Sequence, residues 1–140
     1  MRIIWIIITC LFTGVIWYHS SMPAEESHEL SEWAVQLINF LGPYVEDIFP
    51  SGDVEHSVRK LAHFLEFAVL SYCVTHSFAL NRISNRTSSG YILFYCLLVA
   101  VVDEYIQFFS PGRSCMVNDV LLDFSGSLCA FLFYRICQWK

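Results

Sequence analysis

Four apolar stretches joined by polar segments limit this 140-residue chain to very few architectures. They run roughly over residues 3–18, 61–80, 91–109 and 117–134. A helix that crosses a bilayer needs about 17–25 mostly apolar residues at 1.5 Å of rise each. The first stretch is near the lower limit and the other three are adequate. Only 15% of residues are charged and 56% are hydrophobic, whereas soluble domains carry about 25% charged residues. The expected fold is all-α: a four-helix transmembrane bundle in one domain over 1–140, with an external loop over 19–60. Nothing in the charge balance, −5 overall, suits nucleic-acid binding. The lipid bilayer is the expected surrounding.

The first stretch follows a single basic residue, Arg2, as a signal peptide would. No small-x-small cleavage pattern follows Tyr18, so it is expected to stay as a membrane helix. Basic residues then orient the chain. Arg2, Arg82, Arg86, Arg135 and Lys140 fall on one side, and Arg59, Lys60 and Arg113 on the other, beside an acidic loop. Both termini are therefore expected inside. Within the loop, Leu30, Trp33, Ala34, Leu37, Ile38 and Leu41 recur at helical spacing, and Gly42-Pro43 ends the pattern. This predicts a short amphipathic helix, lying at the outer interface or packed on the mouth of the bundle. The six cysteines show no paired spacing that would indicate a disulfide framework or a zinc site.

Ionisable residues inside apolar sequence need a local reason, because charge is costly in hydrocarbon. On the second helix Arg59, His63, Glu66, Leu70 and Cys73 form one stripe. The third places Asp103 and Gln107 on one face, with Glu104 about 100° away. The fourth carries Asp119 and Asp123 one turn apart, continuing through Gly126 and Ala130 at a spacing that permits close helix approach. Glu66, Asp103 and Asp123 each lie five or six residues from the outer end of their helices, about 8–9 Å below the boundary. Three helices thus bring carboxylates to one level beneath a basic rim of Arg59, Lys60 and Arg113, which predicts one polar cavity open to the outside.

These positions carry a family pattern. Ser20-Ser21-Met22-Pro23, then Lys60-Leu61-Ala62-His63-Phe64-Leu65-Glu66-Phe67, then Asp103-Glu104-Tyr105-Ile106-Gln107, and last Pro111-Gly112-Arg113-Ser114 with Asn118-Asp119-Val120 and Asp123-Phe124-Ser125-Gly126 resemble the VanZ-like family over nearly the whole chain. The resemblance implies a bacterial, four-helix protein of the inner (cytoplasmic) membrane. It singles out His63, Glu66, Asp103, Glu104, Gln107, Arg113, Asp119 and Asp123. Ile106 departs from the pattern, standing where relatives carry a polar residue. The founding member is associated with low-level resistance to the glycopeptide teicoplanin, but relatives occur far from resistance gene sets, so the resemblance makes a resistance role one possibility rather than the default. The family has no agreed biochemical activity.

Three readings of the cluster follow. In the first, the cavity binds or modifies a cell-envelope amphiphile such as a lipid, a cell-wall precursor or a lipoglycopeptide, with Arg59, Lys60 and Arg113 meeting its anionic groups. In the second, His63, Glu66, Asp103 and Glu104 serve an intramembrane enzyme as general acids and bases. No cofactor is predicted. A divalent metal on His63, Glu66, Asp103 and Asp119 is a variant that the three nearby bases disfavour. No serine or cysteine has a base beside it to make a covalent nucleophile. In the third reading, a salt-bridge network fixes helix packing and has no ligand.

Overall fold

The computed structural model describes residues 2–25, 36, 54–80 and 85–138. The described residues form four long helices: α1 (Arg2–Ser21), α2 (Val54–Leu80), α3 (Asn85–Phe108) and α4 (Val117–Gln138). The fold is all-α, with no strand among the described residues. The amphipathic helix expected around 30–41 falls outside them, apart from the single helical residue Gln36.

In lipid the backbone must satisfy its own polar groups, which favours unbroken helices. Hydroxyls on these helices do the same. Thr9 and Thr13 donate to the carbonyls of Trp5 (2.8 Å) and Thr9 (2.9 Å). Thr75 and Ser77 donate to Ser71 (2.7 Å) and Cys73 (2.9 Å). Every helix outruns its apolar stretch at one end or both. α2 begins at Val54 rather than near 61, α3 at Asn85 rather than 91, and α1 continues to Ser21. Hydropathy marks where a helix meets lipid, whereas backbone pairing continues into polar sequence.

Among the described residues, three helices are long and apolar enough to cross a bilayer, over Ile3–Ser21, Ser88–Phe108 and Val117–Cys137. α2 falls short, because His63, Glu66 and His76 dilute its apolar run. This reverses the expectation that the first stretch would be the marginal one. α2 nevertheless contacts all three other helices and packs most extensively on α4. One of its stripes (Leu61, Leu65, Val69, Tyr72) is exposed, as are Ile3, Ile7 and Leu11 on α1. Apolar surface of this extent suits a lipid surrounding.

Phe67, Leu70 and Val74 of α2 meet Ile16, Ile92, Cys96, Val99 and Phe131 in the core. Between α2 and α4 the approach is close. A Cβ built on the buried Gly126 would run into the carbonyl oxygen of Phe64, and Ser127 Oγ donates to the Phe67 carbonyl at 3.1 Å. At one end of the bundle Trp5, Tyr72, His76 and Tyr134 cluster, with Trp5 and His76 ring centroids 4.3 Å apart. At the other end the C-termini of α1 and α3 meet the N-termini of α2 and α4. There Ser110 Oγ donates to the Ser20 carbonyl at 2.9 Å, and the Ala24 amide donates to the Pro111 carbonyl at 3.1 Å. Gly112, at φ 76°, makes the turn between α3 and α4 in a conformation that favours glycine.

Candidate functional site

The end where Gly112 turns the chain gathers most of the polar side chains. On α3, Gln107 Nε2 donates to Asp103 Oδ2 at 2.9 Å, the i,i+4 contact expected on one helix face, and lies 3.4 Å from Ser20 Oγ. Asp103 is wholly buried. His63 on α2 places Nδ1 3.9 Å from both Asp103 Oδ2 and Glu66 Oε2, close enough for charge to matter but too long for a hydrogen bond. Glu66 turns its other oxygen to α1, where His19 Nδ1 stands 3.0 Å away.

The other acidic residues have distinct surroundings. Glu104 accepts the Met116 amide at 2.6 Å, so it holds the turn that leads into α4. Asp119, in the first turn of α4, pairs with Lys60 at 3.0 Å. Asp123, one turn deeper, is 2% exposed. One potential ligand atom from each of His63, Asp103 and Asp123 lies within 4.8 Å of the others. This group differs from the set of His63, Glu66, Asp103 and Asp119 expected from the sequence: Glu66 faces His19 and Asp119 faces Lys60, while Asp123 lies beside His63 and Asp103.

A cavity of about 150 Å³ opens beside this group. Arg59, Lys60, His63, Gln107, Arg113, Asp119 and Asp123 all line it, together with His56 and Ser114. Glu66, Asp103 and Glu104 lie outside its lining. Arg113 donates from its guanidinium to the His19 carbonyl at 3.4 Å. Burial, and next the like charge of Arg59, push its pKa down, while Asp103, Glu104 and Glu66 act in the other direction. The polar atoms do not complete one another. His63 Nδ1, Asp103 Oδ1, Glu104 Oε2 and Arg113 Nε are all buried without a hydrogen-bond partner.

Residue-by-residue reasoning missed α1. His19 and Ser20 were assigned to the external loop, yet they form a fourth wall by way of Glu66, Gln107 and Arg113. The available signal was Ser20-Ser21-Met22-Pro23, placed directly after the apolar run.

No curated protein and no solved structure matches this chain. The family model described as VanZ/LLP1 matches residues 5–138, a span that takes in all four helices and every residue of the site. The chain belongs to the VanZ/LLP1 family of membrane proteins.

Proposed function

We propose that this protein binds the anionic head group of a cell-envelope amphiphile in the cavity between α2, α3 and α4. All four helices cross the inner membrane with both termini inside, which puts the cavity mouth at the outer face. α2 crosses in spite of its polar residues because their side chains turn toward α1, α3 and α4 while its apolar stripe meets lipid.

Arg113 carries this reading. A guanidinium that is half-buried at the cavity wall, with Nε unpartnered, is suited to planar recognition of a phosphate or carboxylate. Arg59 and Lys60 add positive charge on the facing wall. A network that only fixed packing would have its hydrogen-bonding groups paired, since an unmade buried bond costs about 1–3 kcal/mol. Two unpartnered atoms on residues that line the cavity, His63 Nδ1 and Arg113 Nε, favour a ligand.

The test is native mass spectrometry of the protein in mild detergent with short-chain phosphatidic acid, undecaprenyl phosphate and teicoplanin as probes. Phosphatidylcholine serves as the zwitterionic control. Preferential retention of an anionic probe, weakened about tenfold by Arg113→Ala, is expected for a charge-assisted contact. Equal retention of phosphatidylcholine, together with no effect of Arg113→Ala, would refute the reading. A resistance role adds one requirement: expression in a susceptible host must raise teicoplanin tolerance, and Arg113→Ala must abolish the rise. The packing-only alternative predicts that His63→Leu with Glu66→Leu leaves any such phenotype intact.

A further inference from the structure

We infer that His63, Asp103 and Asp123 form a divalent-cation site beside the cavity, which His63 and Asp123 line, with open coordination positions facing the head group. The inference rests on the proposed binding of an anionic amphiphile and names what would receive its phosphate. A carboxylate cluster repels a phosphate, whereas the same cluster carrying a divalent cation attracts it. The cation reconciles the acidic cluster with the basic rim of Arg59, Lys60 and Arg113.

Several features point to a cation. The group comes from three different helices, with one ligand atom from each within 4.8 Å of the others. Ligands about 2.1 Å from an ion stand about 3–4 Å apart, so small side-chain rotations close the shell. Asp103 is wholly buried, yet its Oδ1 has no donor, and His63 Nδ1 is also without a partner. Buried polar atoms left unpaired in this way need an explanation, and a bound ion is one.

The surroundings resemble an outer shell that orients ligands. Gln107 holds the second oxygen of Asp103 at 2.9 Å, and the contact of Gly126 with the Phe64 backbone sets α4, hence Asp123, against α2. The basic rim does not rule the ion out, because Lys60 is engaged with Asp119 and Arg113 with the His19 carbonyl. Two carboxylates and one imidazole suit Mn²⁺ or Zn²⁺ better than a soft metal. Three protein ligands leave positions open toward the cavity, which His63 and Asp123 both line.

The full-length protein in lipid nanodiscs, stripped with EDTA, should be titrated with Mn²⁺ and followed by electron paramagnetic resonance. One Mn²⁺ per chain is expected at micromolar affinity, displaced by Zn²⁺ and showing nitrogen coupling from His63. Asp103→Asn and Asp123→Asn should each weaken it about tenfold or more, and His63→Gln should remove the nitrogen coupling. His76→Gln, at the other end of α2, should change neither. Circular dichroism of each variant separates loss of the site from loss of the fold. A free-ion signal at substoichiometric Mn²⁺ as strong with the wild type as with protein-free nanodiscs overturns the inference, as does binding indifferent to all three substitutions. Phosphatidic acid retained equally with and without EDTA removes the cation from head-group binding and leaves the amphiphile reading standing. Bound Mn²⁺ with no retention of any anionic probe does the reverse, leaving the ion site and refuting the proposed function.

Discussion

Gly126→Ala should loosen the bundle where α4 meets α2. The added methyl meets the Phe64 carbonyl oxygen, with the Phe64 carbonyl carbon at 3.0 Å and its Cα at 3.2 Å. These are backbone atoms, so no rotamer change relieves the contact and the helices must separate. Overpacking of this kind costs about 1–3 kcal/mol. Separation also strains the neighbouring bond from Ser127 Oγ to the Phe67 carbonyl, now 3.1 Å, worth about 0.5–1.5 kcal/mol. Alanine's higher helix propensity returns about 1 kcal/mol. The net loss is about 0.5–3.5 kcal/mol, or about 2- to 400-fold in the folding equilibrium. Gly14 and Gly90 have nothing within 4 Å of a built Cβ, so alanine there should be neutral or stabilising by up to about 1 kcal/mol. Unfolding in mixed micelles by increasing SDS, followed by circular dichroism, ranks the three variants. If Gly126→Ala unfolds no earlier than Gly90→Ala, α4 is not seated on α2 as described, and the placing of Asp123 beside His63 falls with it.

Other perturbations test the remaining joints. Ser110→Ala should cost about 0.5–1.5 kcal/mol in the same titration, because it removes the 2.9 Å bond that ties α3 to α1; an unchanged midpoint would deny that tie. A double-mutant cycle on His19 and Glu66 should return a coupling below about 1 kcal/mol that shrinks with salt, since the side chains are 44% and 25% exposed; a salt-independent coupling of several kcal/mol would contradict it. Glu104→Gln can still accept the Met116 amide and should retain the fold better than Glu104→Leu, which leaves that amide unpaired; equal midpoints would remove Glu104 from the turn. Cys115 and Cys137 are both exposed near opposite ends of the bundle. In single-cysteine variants of intact cells, an impermeant maleimide should label Cys115 directly and Cys137 only after permeabilisation. The opposite pattern would invert the proposed orientation.

What was legible in the sequence follows from the range over which each interaction acts. The pairing of Asp103 with Gln107 needs only the helical repeat, so spacing alone reveals it. The partners of Glu66 and Asp119 depend on how whole helices are rotated about their axes. That rotation is set by contacts such as Gly126 on Phe64, which no local pattern displays. Asp119 and Asp123 share a stripe, yet only Asp123 lies deep enough to join His63 and Asp103, while Asp119 stays in the first turn of α4 beside Lys60. His19 was hidden for a different reason. The apolar run stops at Tyr18, and hydropathy is silent about a helix that continues three residues further through polar sequence.

The polar character of α2 also bears on how the protein is made. Charged side chains at the centre of a helix resist insertion by about 2.5–3.5 kcal/mol each on the translocon scale. α2 carries Glu66 between His63 and His76, and its main packing partner, α4, is synthesised after α2 and α3. In the proposed topology α2 therefore enters the membrane before the surface that shelters its polar stripe exists. Held first against α1 through His19 and Trp5, it is a half-sheltered intermediate until α4 arrives. Chains truncated before residue 117 should accordingly be targets for membrane quality control, whereas chains that include α4 should escape it.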